Sequence, residues 1–171
     1  MISAIVAADE KWGIGKDGKL LVSIPEDLKR FKAITKHNVV VMGRKTWESL
    51  PNKPLPDRVN LVITNSYRPD KEYRNTIFCT MDDAKRFMIK HPITKFFVIG
   101  GGEIYKQLLP YCRYVYLTKI YNTYDADVTF PNLDNKPFMF IKENSKVKLY
   151  NNIQYRFCTY ENSNPKRLEI K

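Results

Sequence analysis

A chain of 171 residues, 43% of them hydrophobic, is long and apolar enough to build a substantial core, which excludes intrinsic disorder. The 29 Lys and Arg against 18 Asp and Glu leave a net charge of +11, which attracts anions without choosing between nucleic acid, an acidic membrane and a phosphorylated small molecule. Cys79, Cys112 and Cys158 are widely spaced within apolar runs, so they read as core residues of a protein in a reducing cytoplasm and not as a disulfide framework or zinc site.

The N-terminal run at Ile2–Ala8 is almost continuously apolar, as a strand buried on both faces of a parallel sheet must be. It has no basic residues before it, and Asp9 and Glu10 interrupt it, so it is expected to be neither a signal peptide nor a membrane span. Similar runs at residues 39–42, 60–64 and 95–100 are predicted strands, and residues 23–34, 45–50, 80–91 and 103–109 are predicted helices. Strands alternating with helices imply a mostly parallel sheet. After Pro110 the segments 113–120 and 154–161 alternate Tyr with other large residues, the pattern of antiparallel strands, and predict a closing hairpin at one sheet edge. The expected architecture is one α/β domain of three layers, a central mixed and mostly parallel sheet flanked by helices.

The first helix opens Ser-Ile-Pro-Glu, a predicted capping box between Ser23 and Glu26. At about 100° per residue, Ile24, Leu28, Phe31 and Ile34 share an apolar stripe, and Asp27 falls inside it. A carboxylate on a core-facing stripe must be satisfied, because burying it alone costs several kcal/mol on a rough scale. Asp27 either bonds to first-turn N–H groups or lies at the floor of an apolar cleft, where two parallel hydrogen bonds would grip an amidine-like edge of a heterocycle.

Two strands turn into helices through glycine, at Gly43 and at Gly100, Gly101 and Gly102. Such corners present backbone N–H groups to anions without an intervening side chain, and two of them suit a pyrophosphate, although either alone is more often just a tight turn. The second lacks the glycine spacing of a Rossmann fingerprint. Arg44 and Lys45, with Thr64, Asn65 and Ser66 at another strand end, supply cations and polar groups for an additional phosphate. His37 and His91 have no ligand spacing for a metal and no partner for a nucleophilic triad.

The segments MISAIVAAD, WGIG, IPEDLKRFK, VVVMGRKTWESL, PLPDR, FFVIGGGEIY, YLT and DVTFP occur in the order and spacing of the dihydrofolate reductase family, which the chain resembles over essentially its whole length. The resemblance implies reduction of dihydrofolate by NADPH. It makes Asp27 the carboxylate that binds the pterin and Thr118 the hydroxyl that bonds to it, with Leu20 in the catalytic loop spanning residues 9–23 that closes over the nicotinamide. It assigns Ile5, Ala7, Leu28, Phe31, Leu50, Leu55 and Ile99 to the folate pocket, and Arg58 to the glutamate α-carboxylate. On the cofactor side it implies Ala7, Ile14, Gly15, Leu20 and Ile99 near the nicotinamide. The phosphates and adenosine would meet Gly43, Arg44, Lys45, Thr46, Ile63, Thr64, Asn65, Gly101, Gly102, Glu103, Ile104, Tyr105 and Gln107. A cis peptide is expected between Gly100 and Gly101.

One departure stands out: the family usually has Pro-Trp after the Lys-Leu pair, where this chain has Leu21-Val22, so the indole that helps hold a water near the pterin carbonyl is missing. A monomer with no nucleic-acid or membrane partner is expected. A ribosylamino-pyrimidine reductase of flavin biosynthesis is the second reading, and the helix bearing Asp27 and the Arg58 loop argue against it. A basic nucleic-acid-binding module is the third, and the 11 Tyr that alternate along predicted strands without an RNA-recognition motif argue against that.

Overall fold

Val39, Val40, Val41 and Met42 are buried without exception, so this run has no face that tolerates water and can only be an interior strand. The computed structural model, which describes residues 1–66, 69 and 71–170, places it near the middle of a nine-stranded sheet. In chain order the elements are β1 (Ile2–Ala8), β2 (Gly13–Gly15), α1 (Pro25–Thr35), β3 (Val39–Gly43), α2 (Arg44–Ser49), β4 (Val59–Ile63), β5 (Thr76–Cys79), α3 (Met81–Lys90), β6 (Phe96–Gly100) and α4 (Gly102–Leu108). Then follow β7 (Tyr114–Ile120), β8 (Val128–Thr129), β9 (Met139–Asn144), β10 (Lys148–Tyr150) and β11 (Ile153–Asn162).

The sheet order is β10-β11-β7-β1-β6-β3-β4-β5, with β9 also on β11, while β2 and β8 pair separately. From β7 to β5 every neighbouring pair is parallel; only β11 and its partners are antiparallel. The two segments that alternate Tyr are, as expected, antiparallel to each other, as β7 and β11. β7 pairs parallel with β1 from Ser3↔Tyr114 to Ala8↔Lys119, and antiparallel only with β11. The closing hairpin is β10–β11, turned at Asn151 and Asn152, whose φ values of 46° and 64° suit Asn in a two-residue turn.

Alternation along the strands sorts the core into two faces. Ala4, Val6, Ala8, Val41, Leu61 and Val98 face α3 and α4 with Ala84, Met88, Ile104 and Leu108. On the opposite face Val40, Met42 and Val62 pack with Trp47 of α2, while Ile120 and Tyr155 pack with Ile24 at the start of α1. The sheet is thus the middle of three layers, with α1 and α2 side by side above it and a groove between them.

α1 begins differently from its prediction. Ile24 occupies the N-cap without a side-chain cap, and Pro25 fills the first turn, where its missing N–H leaves one fewer donor to satisfy. Glu26 consequently does not close a capping box with Ser23; its carboxylate accepts from the Tyr155 hydroxyl at 2.6 Å and meets Lys148 Nζ at 3.0 Å.

Candidate active site

The groove exists because the sheet opens there. The β1–β6 ladder stops at Ala4↔Val98, although β1 runs on to Ala8. The Tyr105 hydroxyl from α4 donates to the Ile5 carbonyl at 2.6 Å, partnering a backbone group of β1 just beyond the last residue paired with β6. The carboxyl ends of β1, β3, β4, β6 and β7 all point to this edge, the position where open α/β sheets bind ligands.

Asp27 projects from the first turn of α1 across the groove to β7, where its Oδ1 accepts from the Thr118 hydroxyl in a short hydrogen bond. Thr118 is buried, and its cross-strand neighbours are Ala7 on β1 and Phe157 on β11. The carboxylate therefore serves the cleft floor and not the orphan donors of its own helix. Burial pushes the Asp27 carboxyl above the usual carboxylate range, while the Thr118 hydroxyl and the charge of Arg30 pull it back.

Apolar walls flank this carboxyl. Ile5 is buried at the floor, Ala7 and Ile99 are half-buried, and Leu50 and Leu55 pack beside Trp47 on the α2 side. Of the α1 stripe only Ile24, at its start, is fully buried in the core: Leu28 is 46% exposed and Phe31 half-buried, because both face the open groove.

At the far end of α1 lies Arg58, 6% exposed. Its Nε donates to the Pro56 carbonyl at 2.8 Å and its Nη1 to Thr35 Oγ1 at 3.1 Å, while Cζ sits 5.8 Å from the Phe31 ring centre. The guanidinium is thus fixed in orientation before any ligand arrives. Asn60 completes the support: buried in β4, it bonds Leu55 N and O and the Arg58 carbonyl, all between 3.0 and 3.2 Å. Sequence reasoning missed Thr35 and Asn60; the signal available was a lone Asn inside the apolar run of β4.

The glycine corners meet. β3 and β6 are adjacent, with Met42 opposite Gly100, and a Cβ built on Gly43 would lie 3.9 Å from Gly101 N. Gly100–Gly101 is cis, as expected, and Gly100 has φ of 136°, a conformation that disfavours any side chain. The helices α2 and α4 start here without side-chain caps. Thr46 borders the corner, its Oγ1 3.3 Å from the position a Cβ on Gly100 would take.

Several expected cofactor residues are placed otherwise than as side-chain contacts. Ile104 and Tyr105 are buried in the core behind the corner, and Glu103 and Gln107 bond to each other at 3.2 Å on the exposed side of α4. Arg44 meets Glu48 at 3.0 Å, and Lys45 and Asn65 are exposed. Ile63 is buried at the end of β4, followed by Thr64, whose N–H donates to the Cys79 carbonyl at 2.8 Å. A cavity of about 570 Å³ lies beyond Gly102 and Glu103 against Val128 and Phe138, and Asp27 does not line it.

The loop between β1 and α1 is tied down at two acids that the sequence did not single out. Buried Asp9 accepts from the backbone N–H of Lys11, Gly13 and Tyr124, at 2.9, 2.8 and 3.0 Å. Asp127 donates its N–H to the Gly15 carbonyl at 2.9 Å and accepts from Asp17 N at 3.0 Å. Ile14 and Gly15 are thereby held half-buried, and Leu20, 63% exposed, is carried on the same loop. Val22, with Ala7, Tyr124 and Phe157, packs against the buried cluster of Ile24, Ile120 and Tyr155.

A doubly flanked α/β sheet with a buried carboxyl at its split edge and a glycine cradle beside it defines a small-molecule enzyme, since both elements converge on one cleft. The model of the dihydrofolate reductase family matches residues 1–162, and the chain belongs to that family. It is 37% identical over 166 residues to the dihydrofolate reductase of Bacillus subtilis (strain 168), covering 96% of both chains. It is 42% identical over 175 residues to the bifunctional dihydrofolate reductase-thymidylate synthase of Glycine max, covering 91% of this chain but only 32% of that protein. The chain thus spans about a third of the length of the bifunctional plant relatives it matches. Among solved structures, Enterococcus faecalis dihydrofolate reductase complexed with NADP(H) and RAB-propyl superimposes with a TM-score of 0.82 at 30% identity, over 96% of this chain and 97% of that one. Neither the flavin-pathway reductase nor the nucleic-acid module is favoured by these matches.

Proposed function

We propose that the chain reduces 7,8-dihydrofolate to 5,6,7,8-tetrahydrofolate with NADPH. The observation that carries this reading is the Asp27 carboxyl, withdrawn from water yet aimed into the groove and held by Thr118. It offers two oxygens to a ring edge bearing an amino group and an adjacent N–H, a bidentate match of the kind that orients planar heterocycles. Leu28, Phe31, Ile5, Leu50 and Leu55 enclose the rings, and Arg58, preset by Thr35 and Pro56, receives the glutamate α-carboxylate at the groove's end.

The residues present fit the dinucleotide. At Gly101 a Cβ would meet only Thr46 Oγ1, at 3.5 Å, which leaves room for phosphate oxygens there, while Gly43 and Gly102, whose Cβ positions are taken by Ile104 and Val128, would offer their backbone N–H groups. Arg44, Lys45, Thr64 and Asn65 border the adenosine phosphate, while Ile63 and the backbone of Glu103, Ile104, Tyr105 and Gln107 shape the surrounding wall. Ala7, Ile14, Gly15, Leu20 and Ile99 line the nicotinamide end. Bound NADPH supplies the hydride that goes to C6 of the pterin. Asp27 keeps the ring oriented and its N5 able to take the proton, Thr118 fixes the carboxyl, and the loop of residues 9–23 excludes water. Orientation and exclusion of water are the chain's own contribution to rate.

The same reading takes residues 1–171 as one domain acting as a monomer in a reducing cytoplasm, a setting supported by three free cysteines. Among the described residues no helix is long and apolar enough to cross a membrane. The test is NADPH oxidation followed at 340 nm. A decay that requires dihydrofolate, and that a ribosylamino-pyrimidine phosphate cannot replace, supports the reading; no decay with dihydrofolate refutes it.

A further inference from the structure

Two of the contacts that α1 makes with the strands beneath it lie one turn apart. The first is Asp27 to Thr118. In the second, the Arg30 guanidinium lies with Cζ 4.5 Å from the Phe157 ring centre and 5.8 Å from that of Tyr116. These rings are not remote from the first contact. Phe157 sits directly across from Thr118 on β11, and Tyr116 is two residues before Thr118 on the same face of β7. Asp27 and Arg30 are themselves i and i+3 on one helix, a spacing that makes their side chains neighbours. Arg30 is half-buried, and among the described residues it forms no salt bridge, so its charge is not spent on a contact ion pair. A hydrophobic side chain would fill this slot at lower desolvation cost.

Building on the reductase reading, we infer that Arg30 is a positioning residue whose charge, seated over Phe157 and Tyr116 one helical turn from Asp27, sets the pH range in which the Asp27 carboxyl and its bound substrate keep their shared proton.

The remaining groups around the pair do not compete for this role. On α1, Glu26 is turned away to Tyr155 and Lys148. From α4, the Tyr105 phenol is bonded to Ile5 and pushed well above its ordinary value by burial, and so neutral. On β7 and β11, burial likewise raises Tyr116 and Cys158 and takes Tyr155 up to about 12, leaving all three uncharged near neutrality. On β9, Glu143 raises both Arg30 and Tyr116, and Lys142 lowers Tyr116. Arg30 is the cation whose charge acts on Asp27, pulling its carboxyl downward against the effect of burial.

A cation beside the carboxyl draws the proton off at lower pH, so removing the charge extends activity to higher pH. The experiment measures kcat/KM for dihydrofolate across about pH 5–9 in the wild type, Arg30→Met, Arg30→Gln and Arg30→Lys. Met and Gln should raise the alkaline midpoint by ~0.5–1 pH unit, and Lys should restore it. An unchanged midpoint in Met and Gln, or a Lys variant displaced as far as Met, overturns the inference. Failure of all three variants to fold, judged by circular dichroism, assigns Arg30 to packing and overturns it equally. A wild type inactive on dihydrofolate refutes instead the reductase reading on which the inference rests.

Discussion

Asp27→Asn preserves the size and one acceptor of the side chain while removing its charge, and its consequences can be worked out from the Thr118 contact and the burial around it. The amide oxygen still accepts from Thr118, so α1 stays docked on β7. The amide cannot hold a proton for N5 or act as a charged bidentate acceptor, so turnover at neutral pH should fall by roughly 10²-fold or more. As pH falls, substrate already protonated in solution bypasses the missing group, and the deficit should narrow. Stability moves the other way. The folded-state value of this carboxyl lies above its unfolded one, so what it contributes to stability is present below the unfolded value of about 4 and is lost as pH rises through the folded value. Asn should therefore stabilise the fold at pH 7, an advantage that disappears below about pH 4. Stopped-flow turnover at several pH values and thermal melts at pH 7 and about pH 4 read both effects. Near-normal turnover at neutral pH, or a deficit that stays constant as pH falls, would refute the reasoning.

Thr35→Val removes the acceptor of Arg58 Nη1 and the hydroxyl bonded to Phe31 O at 2.7 Å, loosening the guanidinium without touching the pterin end. KM for dihydrofolate should rise several-fold with kcat little changed, at a stability cost of about 1–2 kcal/mol by urea melts. Gly13→Ala drives a Cβ to 2.6 Å from Ala126 Cβ and 2.9 Å from Asp9 Oδ2. The resulting overpacking should cost about 1–3 kcal/mol and raise KM for NADPH, because the loop bearing Ile14 and Gly15 loses its anchor; an unchanged melting temperature would contradict the packing. Tyr105→Phe leaves the Ile5 carbonyl without its hydroxyl partner beyond the end of the β1–β6 ladder, so the fold should lose about 1–3 kcal/mol while turnover per folded molecule stays within a few-fold.

Much of the fold was legible because its central strands are buried on both faces. Runs such as 39–42 and 95–100 have no polar alternation to mislead, and their predicted bounds fall within a residue of β3 and β6. β7 and β11 were legible as an antiparallel pair, but the parallel ladder of β7 with β1 was not, because its alternation records the chemistry of its two faces, Tyr116 and Thr118 toward the cleft and Val115 and Leu117 toward the core, and not the direction of each neighbour. β5, β9 and β10 were not found: they are short or largely exposed edge strands with little apolar signal. For the site, the misplaced polarity of Asp27 in an apolar stripe was visible locally, but its partner Thr118 lies 91 residues away and no spacing rule connects them. Arg30 lies outside the apolar stripe of its helix, and only the approach of β11 places a ring beneath it.

The central claim is that the Asp27 carboxyl grips the pterin. A crystal structure with folate and NADP⁺ bound tests it most directly. The account predicts both carboxylate oxygens within about 2.6–3.2 Å of two ring nitrogens, with Thr118 still bonded behind them. A pterin seated elsewhere in the groove, with Asp27 facing only water and Thr118, would contradict it.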